Sequence, residues 1–232
     1  MSEALEKVRG LKFLPLFPLP LVLLPGELLP LHIFEPRYRQ MLTDISQEKN
    51  LFGLSYFDAR ESGFTKPETG SFGCVAEISQ AQTLPDGRSN ILAMGVVRYR
   101  LENYTEAEEP YLVGEVSFFE DEEEDDSLLQ PLADEVFSLF RRVMIAAQEQ
   151  SGAPGKFPEI PQAAPQPLSF LVAAAFNLPT EIKYQFLKTR SALERLKRLR
   201  EMLKASIVNI EESARIGKIA KNNGHGNKKI DV

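Results

Sequence analysis

The chain has 232 residues with one cysteine, two histidines and no tryptophan; 43% of the residues are hydrophobic and the formal net charge is −6. This size and apolar share suit one large or two small soluble domains, a lone cysteine excludes an internal disulfide framework, and no leader-like pattern opens the chain, which points to a reducing cytoplasm. The charge is uneven: residues 1–119 hold 11 Lys and Arg against 16 Asp and Glu, residues 120–180 hold 3 against 11, and residues 181–232 hold 13 against 6.

Residues 1–10 are read as a flexible N-terminus. The run from Leu14 to Pro25 is too apolar and too proline-rich for a helix or a solvated linker. Pro15, Pro18, Pro20 and Pro25 break it into short extended pieces, and Pro25-Gly26 is the sharpest turn signal. The run is also shorter than the ~20 apolar residues of a membrane span, so a transmembrane reading is rejected. Residues 27–34 read as a strand with Leu29, Leu31 and Ile33 on one face. Pro36 then holds Glu35 extended and itself suits the first turn of a helix, along which Tyr38, Met41, Leu42 and Ile45 follow at amphipathic spacing.

Residues 51–57 form a short apolar and aromatic strand, and residues 58–71, with Gly63, Pro67 and Gly70, an exposed loop. Residues 72–83 and 89–101 flank Pro85-Asp86-Gly87, a turn signal that makes them a long β-hairpin. In its second arm Ile91, Ala93, Val97, Tyr99 and Leu101 fall on one face and Arg98 and Arg100 on the other. Residues 111–119 add a further strand. Six strands, one helix and no strand–helix alternation indicate a small, mostly antiparallel, closed or half-closed barrel.

Seven consecutive carboxylates, from Glu120 to Asp126, mark a boundary: they repel one another and read as a solvated stretch ahead of a helix. Ser127 with Gln130 has a capping-box pattern, and Leu132, Val136, Leu139, Phe140 and Val143 carry that helix to about Gln150. Five prolines make residues 151–167 an irregular connection. Residues 168–178 suit a buried helix, and Ile182, Phe186 and Leu187 mark another. Ser191 with Glu194 opens a long final helix with Leu193, Leu196, Leu199, Leu203, Ile207 and Ile210 as its stripe and Arg195, Lys197, Arg198 and Lys204 on its wet face. Beyond Ser213 the composition cannot bury enough to order itself.

Few residues invite chemistry. Gly152, Gly155 and Lys156 lack phosphate-loop spacing and follow no strand. His32, Cys74 and His225 are too scattered to begin a metal site, and no nucleophile elbow is present. A Cys74–His32 pair would need a proximity that spacing does not supply. No cofactor is expected.

The motifs LPLFPL and VLLPGELLPLHIFEPRY, followed by a short helix, closely resemble the N-terminal substrate-binding domain of Lon proteases, in particular the free-standing Lon-N-like proteins. The hairpin around Pro85-Asp86-Gly87 and the helix carrying ALERLKRLREML agree with this, and the resemblance extends over residues 11 to 210. It implies an α+β fold: a six-stranded, PUA-like, mostly antiparallel β-barrel with one inserted helix (residues 11–120), then a C-terminal helical bundle (residues 121–212) and a disordered tail (residues 213–232). It also implies a non-catalytic module that binds unfolded or apolar-rich polypeptide segments or a partner protein, as an adaptor in protein quality control or proteolysis; the phosphate loop and Ser–Lys pair of a complete Lon protease are not in this sequence. Phe34, Glu35, Arg37 and Tyr38 are the candidate peptide-binding residues. Phe34 and Tyr38 would give apolar surface and Glu35 and Arg37 a charged pair, unless the aromatics are core and the charges only fix the corner. RNA binding, which other PUA-type barrels perform, is the alternative, disfavoured by the acidic charge of the barrel region. Docking of the final helix on a membrane or partner competes with its packing in the bundle.

Overall fold

The computed structural model describes residues 2–58, 65–106, 108–151, 163–176 and 178–223. Among them are strands β1 (Phe13–Leu19), β2 (Leu28–Ile33), β3 (Leu51–Tyr56), β4 (Phe72–Thr83), β5 (Ser89–Tyr104) and β6 (Leu112–Phe119). The helices are α1 (Glu3–Lys7), α2 (Pro36–Ser46), α3 (Asp126–Ser151), α4 (Pro165–Ala175), α5 (Thr180–Lys188) and α6 (Ala192–Asn223). The fold is α+β, with these six strands in one sheet.

Strand pairing returns on itself. β1 pairs with β6, β6 with β5, β5 with β4, β4 with β3, and β3 with β1. Among the described residues only the β1–β3 pair is parallel. The 16-residue β5 makes this possible: one end pairs with β6, while residues 89–94 pair with β2, which lies outside the ring. Pro15 and Pro18 sit inside β1 even though that strand has a neighbour on each side.

Leu14, Leu16, Val75, Val97, Tyr99, Leu101 and Val116 form one apolar cluster within the ring, joined by Val8. Tyr99 fits there because its neighbours are glycines. A Cβ on Gly73 would lie 2.3 Å from the Tyr99 ring and 2.6 Å from the Leu54 carbonyl oxygen. The Tyr99 hydroxyl is satisfied by Ser55 at 2.7 Å.

The second arm of the hairpin does not keep one face. Ile91 and Ala93 belong to the larger core beneath α2 and the helices, whereas Val97, Tyr99 and Leu101 belong to the ring. The register slips between Cys74, opposite Arg98, and Ala76, opposite Gly95, and one extra residue in an antiparallel pair re-aims the strand. Gly95 accommodates the close approach of the Leu24 carbonyl, 2.1 Å from where its Cβ would be.

Several boundaries differ from expectation. The N-terminal residues read as flexible instead hold α1, capped by the Ser2 hydroxyl on the Leu5 N–H, with Val8 buried at its end. Asp125 caps the start of α3 by accepting from the Ser127 N–H at 2.9 Å, the role expected of Ser127. Pro165 and Pro167 lie in the first turn of α4, where a missing N–H costs nothing, so the irregular connection stops earlier than residue 167; residues 152–162 lie outside the described residues. α6 continues to Asn223, past the expected start of the tail at residue 213, and residues 224–232 lie outside the described residues. The expected loop at residues 58–71 lies outside them at 59–64.

Candidate functional site

The strand-to-helix corner separates the four candidate residues into different roles. Tyr38 is buried at 5% exposure, its ring 4.1 Å from that of Phe17, and burial pushes its hydroxyl above the ordinary tyrosine range, partly offset by Arg37. Phe34 is 60% exposed. Glu35 is the backbone N-cap of α2 and accepts from Arg37 at 2.8 Å, and the Arg37 guanidinium lies 4.6 Å above the Tyr38 ring. The corner therefore joins a core tyrosine, an exposed ion pair that fixes the turn, and an exposed phenylalanine.

Phe34 has apolar company. Leu28, Pro30 and His32 are exposed on the outer side of β2, and their partners across the ladder are Met94, Leu92 and Asn90. Side chains directly opposite share a face. Leu92 and Met94 are half-exposed and belong to neither core cluster. The His32 ring stacks on Phe34 at 6.2 Å, and its Nδ1 lies 2.7 Å from the Asn90 side-chain oxygen. The result is a strip, two strands wide, of Leu28, Met94, Pro30, Leu92 and Phe34 with no formal charge. Among the described residues β2 pairs only with β5, so its other edge is open. The Gly95 N–H donates to the Glu27 carbonyl at 2.9 Å, which sets the ladder so that residues 28, 30 and 32 turn their peptide groups outward. Pro30 removes the middle donor from that edge.

The opposite face of the same hairpin forms one wall of a groove of about 650 Å³; α2 forms the other. Leu42, Ile78, Ala81 and Ile91 give it an apolar lining, and Arg39 is its one charged lining residue among the described residues.

A second cleft, of about 550 Å³, lies where the sheet meets the helices, lined by Phe119, Phe170, Val96 and the acidic residues 120–124. The acidic stretch is not simply solvated, contrary to the expectation from its charge: Asp121 accepts from Arg98 at 2.6 Å and from both terminal nitrogens of Arg195. Arg195, placed by its charge on the wet face of α6, is 1% exposed, and Arg98 is 2% exposed. Arg98 also donates to the Leu187 and Thr189 carbonyls, while Arg195 donates to the Ser169 hydroxyl and lies 4.0 Å from the Phe170 ring. Burial brings Arg98 down to about 10, opposed by Asp121. Glu124 accepts from the Ser191 hydroxyl and from the Ala192 and Leu193 amides, so an acidic residue 68 positions before Ala192 caps α6. Spacing could have revealed Arg195, since Ala192, Arg195, Leu196, Leu199 and Leu203 follow a helical core period, all at 0 or 1% exposure.

Cys74 is fully buried, and burial pushes its thiol up to about 12, far from the thiolate that nucleophilic chemistry needs. Among the described residues no three His, Cys, Asp or Glu side chains are grouped as metal ligands, and no helix is long and apolar enough to cross a membrane.

A closed strand ring, an outlying strand with an open edge and a helical brace define the class of fold, and comparison with known proteins gives the family. The model of the ATP-dependent protease La (LON) substrate-binding domain matches residues 13–205. The chain belongs to this family. It is 27% identical over 220 residues to a Lon protease of Anaeromyxobacter dehalogenans, covering 90% of this chain and 25% of that protein. It is 30% identical over 128 residues to a Lon protease of Parabacteroides distasonis, covering 53% of this chain and 15% of that one. The chain thus spans a quarter or less of the length of these two relatives, and what matches the family model is the substrate-binding domain. The fold is that of the Lon N-terminal domain protein from Xanthomonas campestris (TM-score 0.61, 23% identity, 82% of this chain and 97% of that one). The N-terminal domain of the Mycobacterium avium complex Lon protease is similar (TM-score 0.61, 18% identity, 83% and 98%).

Proposed function

We propose that this protein holds unfolded, apolar-rich polypeptide segments without cleaving them, acting in the cytoplasm as a substrate reader for proteolysis carried out by another domain or chain. In this reading the ring of strands in residues 11–120 is a PUA-like barrel that carries the reading surface, and the helices from residue 121 brace it. The observation that carries the proposal is the uncharged strip of Leu28, Pro30, Phe34, Leu92 and Met94 beside an open strand edge, in a chain whose family is named for substrate binding. Apolar patches next to a free edge take extended chains by side-chain burial, with a few main-chain bonds from the edge. Phe34 is then the exposed anchor, Glu35 and Arg37 hold the corner that presents it, and Tyr38 supports it from the core.

The test is fluorescence anisotropy with labelled, reduced and carboxymethylated α-lactalbumin as the unfolded probe. Wild-type protein should bind it, and Leu28→Ser with Phe34→Ser should weaken binding by about tenfold or more while circular dichroism is unchanged. Wild-type protein that fails to bind, or a double variant that binds equally well, would refute the reading. A structured RNA hairpin should not compete, because a region with 11 basic and 16 acidic residues is poorly suited to phosphate contacts.

A further inference from the structure

We infer that the groove between α2 and the β4–β5 hairpin is a second binding site, one that takes the free C-terminus of an apolar polypeptide and sets its α-carboxylate on Arg39. The site lies on the face of the hairpin opposite the β2 strip, so it can be tested apart from it.

The charge pattern points to the occupant. Arg39 is half-buried and, among the described residues, is the one charged residue lining the 650 Å³ groove. The neighbouring arginines are neutralised locally, Arg37 by Glu35 at 2.8 Å and Arg88 by Asp86 at 2.7 Å. Among the described residues no carboxylate pairs with Arg39. In a chain of net charge −6, a groove with a single uncompensated guanidinium is complementary to one negative charge.

Position then favours a chain end over an acidic side chain. The guanidinium lies against the hairpin turn: a Cβ on Gly87 would meet its Nη2 at 2.0 Å. Pro36, at the start of α2, lines the groove with them, whereas Ser46, at the end of α2, and Asn50 line its other end. With the cation at one end, an extended segment can lay its last side chains along Leu42, Ile78 and Ile91 and finish on Arg39. A guanidinium gives a carboxylate two parallel N–H donors, a geometry that an amide terminus cannot match.

The experiment uses the full chain and three N-terminally fluorescein-labelled apolar decapeptides: one with a free C-terminus, the same peptide as its C-terminal amide, and an amide with one internal aspartate. The free acid should bind about tenfold or more tightly than the plain amide, as expected when one charged hydrogen-bonded contact is lost. Arg39→Gln should erase that ratio, Arg39→Lys should keep part of it, and Phe34→Ser should leave it unchanged, with circular dichroism confirming that each variant is folded. Equal affinity for acid and amide, no binding of any peptide, or a ratio that survives Arg39→Gln would overturn the inference. Tight binding of the internal aspartate peptide would overturn the assignment to a chain terminus.

Discussion

Changing Asp121 to asparagine should cost more stability than any other single polar change in this protein. The carboxylate is 11% exposed and sits between two guanidinium groups that are 2% and 1% exposed. At the effective dielectric that describes such sites, each attraction at about 4 Å is worth about 4 kcal/mol before the cost of burying the charges. The neutral amide would return the carboxylate's own desolvation cost, yet it would leave two buried cations facing one another with only carbonyls, a hydroxyl and aromatic faces for company. Removing one partner of a buried ionic group costs about 3–5 kcal/mol, a large share of a domain's total of about 5–15 kcal/mol. In urea, with a slope of about 2–3 kcal/mol/M, the midpoint should fall by about 1–2.5 M with the slope unchanged. The apolar triple variant Arg98→Met, Asp121→Leu, Arg195→Met should recover most of the loss, because the three charges of this network are then gone together. A loss below about 1 kcal/mol for Asp121→Asn would refute the claim that this network joins sheet to helices.

Gly73→Ala should destabilise by about 1–3 kcal/mol in the same assay, since its Cβ would collide with both Tyr99 and a backbone carbonyl and neither can withdraw easily. Cys74 should react with a thiol reagent only at the rate of global unfolding, and fast native-state labelling would contradict its burial and raised thiol. For Glu124, burial alone would raise the carboxyl, but the Ser191 hydroxyl, the Leu193 and Ala192 amides and Arg195 together bring it below the ordinary glutamate value. A carboxyl lowered by folding contributes stability that is present above its unfolded value of about 4.3 and is lost as pH falls through the folded value. Glu124→Gln should therefore flatten the pH dependence of the unfolding midpoint below about pH 4.3, and should cost about 0.5–2 kcal/mol at neutral pH through the weakened helix cap. Deleting residues 2–9 should cost up to about 1.5–3 kcal/mol by exposing the surface that Val8 covers; an unchanged midpoint would mean that α1 adds nothing.

What could be read without coordinates was local. Pro20 and Pro25-Gly26 fall between β1 and β2, although β1 runs unbroken through Pro15 and Pro18; Pro36 opens α2 with Tyr38, Met41 and Ile45 buried, and the Ser191 hydroxyl caps the Glu194 amide as the capping-box pattern predicts. For the candidate site, residue type and spacing suited Phe34 and Tyr38 to a groove or to the core alike. A single turn of backbone sends Tyr38 inward onto Phe17 and leaves Phe34 outside on His32. Leu92 and Met94 join the strip only through strand pairing, which sets them opposite Pro30 and Leu28.

The helices and strands follow from short stretches of chain, because φ restriction by proline, caps and the 2.0 and 3.6 periods act within a few residues. Long-range meetings depend on the folded whole: β5 serves two clusters across a bulge, Asp121 neutralises an arginine 74 positions away, and Arg39 lines a groove that has no carboxylate among its described lining residues. Charge in the sequence marks a residue as costly to bury; whether it is buried depends on whether a partner arrives from elsewhere in the chain, and that is a property of the fold.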